Sequence, residues 1–400
     1  MLFKWNHLLY LSQNRIVMKT QMYDGPFYQY DLDLLNRTLV ESKNASEKYN
    51  CSMFYAMKAN HEGEILKSIR TNGLGVDCVS SGEIERALEE GWKNSQIVFA
   101  GSGKTLREIS YALTHDIYMI HCESVEEFEL LMSLKNQFNS LTSIALRINP
   151  DIRVNTHDKI STGERHHKFG MSFQEAFTLI NEYPNHIKGL HFHMGSQIEE
   201  MQYFEDLSLK VRSLIDKLPS NYALEYLNLG GGLGIDYKNP ERNSMPDFDG
   251  WMNAIRTHLP VSLIPTISLE PGRSIVGQCG KLVGQVQYVK QKESDNPMVI
   301  LDVGMSELLR PALYDARHKI STLKEDLIEE AYTIHGPSCE SSDHFGHAHR
   351  LPRLNRGDIV QIHSTGAYGS SMQLNYNLRK APESRFITGR VRTELKIKVA

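Results

Sequence analysis

The sequence predicts a (β/α)8 barrel joined to a second, mainly β domain. Between about residues 50 and 280, eight short apolar runs alternate with longer charged stretches whose apolar residues recur at helical spacing. Polar or glycine residues gather at the C-terminal end of almost every run, where barrel enzymes carry their chemistry. After about residue 283 the alternation stops. At 400 residues the chain also exceeds what one core usually fills, so two domains are expected.

In chain order, residues 27–30 (FYQY) read as extended and 32–49 as a helix. The eight barrel strands are expected at 52–57, 75–79, 97–101, 118–121, 143–149, 187–193, 226–230 and 266–270, with helices such as 82–91 and 124–138 between them. Further strands are expected at 282–290, 298–303, 331–335 and 358–363, joined by turn-rich segments without regular helices. The expected division is a barrel over 32–282 and a mainly β domain built from 1–31 plus 283–400. Residues 1–22 are weakly patterned, and the alternating run 391–399 has no assigned place.

Composition narrows the class. A formal net charge of −4 and the lack of a long Lys/Arg block argue against nucleic acid or an anionic membrane as partner. No apolar run is long enough to span a bilayer, and the first residues lack a signal-peptide pattern, so a cytoplasmic protein is expected. Five cysteines without CxxC spacing suggest reduced thiols and no structural zinc. His344, His347 and His349 are read as a solvated loop, and no metal is expected.

Lys58 lies at the end of the first barrel run, in FYAMKAN. A lysine leaving a buried strand into a cleft loses water, which favours the neutral amine that can form a Schiff base with an aldehyde. Its plain alternative is a strand-end lysine with its head in water. The run 226–234 (YLNLGGGLG) ends in glycines that let backbone N–H groups approach a phosphate, or that simply make a turn. The next run ends in EPGR (270–273), and two late strands ending in glycine loops match the common barrel phosphate site. Glu270 could hold a protonated pyridine nitrogen or pair with Arg273. His193, in HFHMGS, could lie against an aromatic ring while Ser196 offers a hydroxyl to phosphate. Cys339, in GPSCESSD, reads as an exposed thiol able to deliver a proton, or as inert packing. RPALY (310–314) and GAYG (366–369) add donors suited to carboxylate or phosphate.

Assembled, these segments resemble the fold-type III pyridoxal-phosphate decarboxylases, and among them the branch acting on diaminopimelate. The motifs occur in that family's order: YAMKAN, GVDCVSS, STGERHHKFG, HFHMGSQ, GGGLG, EPGR, RPALY, CESSD and GAYG. The resemblance implies an alanine racemase-like barrel plus a C-terminal β domain, working as a homodimer with shared active sites. It implies decarboxylation of meso-2,6-diaminopimelate to L-lysine and CO2, the last step of lysine biosynthesis. Carried over by motif, Lys58 would hold pyridoxal 5'-phosphate through a Schiff base. Asp77 would support the lysine side, His193 would cover the ring, and Glu270 would pair with its nitrogen. Ser196, Gly231, Gly232, Gly272, Arg273 and Tyr368 would hold the phosphate region. Arg273, Arg310 and Tyr314 would take the distal carboxylate of the substrate, Glu340 its distal ammonium, and Tyr368 would border it. Cys339 would come from the partner subunit as proton donor, and residues 161–170 would close over the substrate. The alternatives are a carboxynorspermidine or ornithine/lysine-type decarboxylase of the same fold, or a non-catalytic relative that binds the cofactor.

Overall fold

The computed structural model describes residues 19–154, 163, 167–293, 295–324, 328–389 and 393–396. Half of the segment 161–170, expected to close over the site, lies outside them. Two strands come first, β1 (Lys19–Met22) and β2 (Phe27–Asp31). The barrel follows as β3 (Cys51–Ala56), β4 (Gly75–Cys78), β5 (Ile97–Phe99), β6 (Met119–Cys122), β7 (Ser143–Arg147), β8 (Ile187–His191), β9 (Tyr226–Asn228) and β10 (Ile267–Leu269). All eight pair in parallel, and β10 returns to β3 to close the cylinder. Each expected barrel run overlaps one of these strands, because strands covered on both faces read as continuous apolar runs.

The helices outside the barrel start where the sequence supplies caps. Ser80, Thr105, Ser124 and Ser172 each accept a backbone N–H from the first turn of the helix that follows. Thr105 with Glu108, and Ser172 with Glu175, close reciprocal capping boxes.

The second sheet runs β13 (Ile320–Thr322), β16 (Ile359–Ile362), β11 (Gly280–Lys290), β12 (Met298–Leu301), β14 (Glu329–His335), β15 (His344–Pro352). β2 joins it beside β11, and β17 (Glu383–Ile387) pairs with β2, so the extended stretch at 27–30 does belong to this sheet. β18 (Thr393–Lys396), in the C-terminal run that had no assigned place, pairs in parallel with β1.

Two expectations for this part of the chain need correction. A five-residue helix, Arg310–Tyr314, interrupts the strands, with Pro311 in its first turn. His344, His347 and His349 lie not on a loop but on β15, antiparallel to β14. Only Phe345 and Leu351 of that strand are buried, and the exposure of the rest explains its polar sequence.

Inside the barrel, Phe54, Val98, Met119, Ala145 and Tyr226 form an apolar floor separate from the main core. Side chains alternate along a strand, so the residues two positions on from these face the same interior, one layer higher. They are Ala56, Ala100, His121, Arg147 and Asn228, and this is the level at which the interior turns polar.

The lower rim is fastened by Arg256, which is buried and has no carboxylate partner among the described residues. Its Nε donates to Tyr49 O (2.8 Å), Nη1 to Leu259 O (3.2 Å) and Ile264 O (2.6 Å), and Nη2 to Asn50 O (2.5 Å) and Pro265 O (3.2 Å). All five guanidinium hydrogens are used, on carbonyls flanking the first and last barrel strands. Arg256→Met is expected to strand those carbonyls and cost roughly 2–5 kcal/mol, read as a lower urea midpoint. Arg256→Lys, with its charge but fewer donors, should fall between.

Candidate active site

A cavity of about 410 Å³ opens at the C-terminal ends of the barrel strands. Lys58, Asp77, His193, Ser196, Gly232 and Glu270 line it. So do Gly272, Arg273, Arg310, Tyr314 and Tyr368, the last three from beyond the barrel. Three expected residues do not. Gly231 sits behind the wall, its N–H donated to His193 Nδ1 (3.1 Å), and a Cβ there would fall 2.1 Å from the Glu270 carbonyl oxygen. Cys339 and Glu340 are exposed, away from the cavity of their own chain, and Glu340 accepts the Tyr376 hydroxyl at 2.5 Å.

Lys58 projects from the single turn Met57–Ala59 that follows β3. The turn is tied down from both sides. The Ala56 N–H donates to Pro271 O (3.1 Å), and the Tyr368 N–H donates to Ala59 O (2.8 Å). Tyr368 holds φ at +57°, a left-handed conformation that a tyrosine rarely adopts, in order to make that contact. Lys58 Nζ lies 4.0 Å from the buried carboxylate of Asp77. The lysine keeps 45% of its side-chain surface open, yet it sits deep enough that desolvation acts strongly on it. Burial disfavours its charge, but Asp77, Tyr368 and Glu270 outweigh it and hold Lys58 above its ordinary pKa. The sequence reading, in which burial alone favours a neutral amine, is corrected here. Asp77 is itself pushed well up, first by burial and then by the charge of Glu270.

Glu270, one residue past β10, does not pair with Arg273. Asn228 Nδ2 donates to its Oε1 (2.8 Å), and His191 Nε2 lies 3.2 Å from its Oε2. Arg273 instead donates to the Tyr237 hydroxyl (2.6 Å) and to Ser196 Oγ (2.9 Å), while its Nε has no hydrogen-bond partner. Arg310 donates through Nη1 to His318 Nε2 (2.8 Å), and its Nε is likewise unpartnered. The two guanidiniums share aromatic neighbours: Arg273 lies over Tyr368 (4.8 Å to the centroid) and Arg310 over Tyr237 (4.7 Å). Burial, and next the repulsion of Arg273 against the help of Tyr237, pushes Arg310 down to about 10. Neither guanidinium has a carboxylate partner among the described residues.

Burial first, then Arg147 and Lys58, holds His193 well below the usual histidine range, so it is neutral. With Nδ1 accepting from Gly231, its proton resides on Nε2.

Several residues of the site escape the sequence reading. Arg147 ends β7, lines the cavity and is paired with buried Glu123 at 2.7 Å. His121, Asn228 and Tyr226 sit on barrel strands beneath Glu270, and Tyr237 and His318 support the two arginines. Their only signal is a lone polar residue within an apolar run, or a position in an irregular loop. His121, His191 and Glu270 also form the one group with metal-ligand spacing among the described residues.

The ion pair gives a direct expectation. Removing the charge of Asp77 lowers the Lys58 pKa, which enlarges the neutral fraction at any given pH. Asp77→Asn should therefore shift the labelling of Lys58 by an amine-selective reagent to lower pH, followed by peptide mass spectrometry on cofactor-free protein.

Residues 33–277 match the family described as pyridoxal-dependent decarboxylase, pyridoxal binding domain. The diaminopimelate decarboxylase of Bacteroides thetaiotaomicron is 43% identical over 365 residues, covering 90% of this chain and 94% of that protein. That of Helicobacter pylori strain J99 is 38% identical over 368 residues, covering 90% of this chain and 89% of its own. The crystal structure of the Helicobacter pylori enzyme complexed with L-lysine superposes with a TM-score of 0.85 at 36% identity, covering 92% of each chain. Sequence and fold agree along nearly the whole length, and the chain belongs to the diaminopimelate decarboxylase family of pyridoxal-dependent decarboxylases.

Proposed function

We propose that the protein decarboxylates meso-2,6-diaminopimelate at one α-carbon to give L-lysine and CO2, as a carboxy-lyase of the cytoplasm. The observation that carries the substrate assignment is the pair Arg273 and Arg310, buried in the cavity of Lys58 with no carboxylate partner among the described residues. Two buried guanidiniums that meet only neutral partners are costly, and an arriving carboxylate offsets that cost. A substrate ending in an ammonium alone would add repulsion.

The cavity fits pyridoxal phosphate. It combines an amine, a buried carboxylate with donors beneath it, guanidiniums with unpartnered Nε atoms, and hydroxyl groups, matching an aldehyde, a ring nitrogen and a phosphate. When bound, the cofactor supplies the aldehyde that captures amines and a ring that accepts the electron pair left as CO2 departs.

The chain's own residues do the rest. Lys58 holds the cofactor and yields its place to the substrate amine, with Asp77 beside it to steady the ammonium. Glu270 accepts from the ring nitrogen and keeps it protonated. His193 packs against the ring, and Ser196, Gly232, Gly272, Arg273 and Tyr368 gather around the phosphate. Arg273, Arg310 and Tyr314 hold the distal carboxylate. Cys339 donates a proton to the α-carbon and Glu340 receives the distal ammonium, both from a second copy of the chain. The support for a homodimer with shared sites is that these two residues lie outside the cavity of their own chain.

Purified protein with pyridoxal phosphate is expected to release CO2 from meso-diaminopimelate and not from ornithine, and Lys58→Ala should abolish the release. Preference for ornithine, or for carboxynorspermidine, would overturn the role given to Arg310. Shared sites have their own signature. Lys58→Ala and Cys339→Ala proteins, each inactive alone, should recover about a quarter of wild-type activity when mixed and reassociated, since half the dimers then hold one complete site.

A further inference from the structure

Beneath Glu270 lies a buried polar network that none of the assigned roles uses, and its hydrogens can be placed from the geometry. Asn228 Oδ1 accepts from the Gly230 N–H (2.8 Å), which fixes the orientation of the amide. Its Nδ2 then gives one hydrogen to Glu270 Oε1 (2.8 Å) and the other to the Tyr226 hydroxyl oxygen (2.7 Å). The Tyr226 hydroxyl also lies 3.1 Å from His121 Nε2, which joins the imidazole to the network. His121 Nδ1 faces Glu270 Oε1 at 3.5 Å, an electrostatic contact without hydrogen-bond geometry. His191 meets Oε2 through Nε2 at 3.2 Å. A carboxylate only accepts, so that nitrogen bears the proton.

The two imidazoles are stacked, with centroids 4.1 Å apart and planes 9° from parallel. Burial, aided by their mutual repulsion at His121 and by Arg147 at His191, keeps both well below the usual histidine range. His191 thus gives its N–H to Glu270, while His121 Nδ1 makes only an electrostatic contact with the same carboxylate.

We propose that Asn228, Tyr226, His121 and His191 are positioning residues: Asn228 and His191 give Glu270 its donors, Tyr226 and His121 hold those two in place, and together they keep the carboxylate as the acceptor that keeps the cofactor's ring nitrogen protonated. This rests on the cofactor role given to Glu270 above. A flipped imidazole would set a lone pair against the carboxylate. Relief would require a proton on Glu270, and the ring nitrogen would then lose its acceptor.

The test uses protein loaded with pyridoxal phosphate labelled with 15N at the ring nitrogen. In His191→Phe, which keeps a ring against His121 but deletes the donor, the nitrogen resonance should move toward the unprotonated position. kcat should fall roughly tenfold or more, as expected for loss of a hydrogen bond to a charged group, with KM little changed. His191→Gln, which can return a donor N–H, should recover part of both. Tyr226→Phe removes a single hydroxyl and should move the resonance in the same direction by less, which keeps the test open if His191→Phe does not fold. An unmoved nitrogen resonance in both deletion variants overturns the proposal, as does a change confined to KM. The nitrogen readout needs only the cofactor, so it decides this inference even if diaminopimelate proves not to be the substrate.

Discussion

The site depends on how the barrel closes. β10 pairs with β3 in parallel, Ile267 beside Cys51 and Leu269 beside Met53, so the first and last barrel strands reach the upper rim together. Lys58 follows one strand and Glu270 the other, and the hydrogen bond from Ala56 to Pro271 joins their exits. An amine and a carboxylate from opposite ends of the barrel sequence become neighbours at this seam. Arg256 secures the same seam from below by gathering carbonyls that precede both strands. The lower end is held by a side chain spent wholly on backbone, and the upper end is left to side chains that can meet a ligand.

Buried charge in this cavity is of two kinds, and the difference separates scaffold from binding surface. Glu123 is fully occupied: it pairs with Arg147 at 2.7 Å and accepts the N–H groups of Gly101 (3.2 Å) and Gly170 (2.9 Å). It has nothing left to offer. Among the described residues, Arg273 and Arg310 are satisfied only by neutral groups, and each retains an unpartnered Nε. Buried cations in that state are destabilising until an anion arrives. Selectivity for an anionic ligand therefore follows from the empty-handed arginines rather than from the number of charges in the cavity.

The barrel was legible in the sequence because parallel strands covered by helices must be apolar on both faces, and each such run is bracketed by a polar or glycine-rich exit. The residues at those exits, Lys58, His193 and Glu270, could be read for the same reason. The polar layer of His121, Arg147 and Asn228 could not. A single polar residue inside an apolar strand looks tolerated until the register shows that several such residues converge. The protonation of Lys58 was hidden in the same way, since Asp77 becomes its neighbour only through the pairing of β3 with β4, where Ala56 lies opposite Asp77. The helix Arg310–Tyr314 is too short to show a period, and β15 carries the histidine-rich pattern of an exposed strand face that resembles a loop.

The hydrogen bond from the Tyr368 N–H to Ala59 O reaches from the far end of the chain to the turn that carries Lys58. The barrel brings the amine and Glu270, while Arg310, Tyr314 and Tyr368 enter from a stretch beyond the pyridoxal-binding match at 33–277. On the proposed assignment, most groups that hold the cofactor come from the barrel stretch, while Arg310 and Tyr314, which meet the distal end of the substrate, come from the later one. Substitutions at those two positions can alter which amino acid is accepted without touching Lys58 or Glu270.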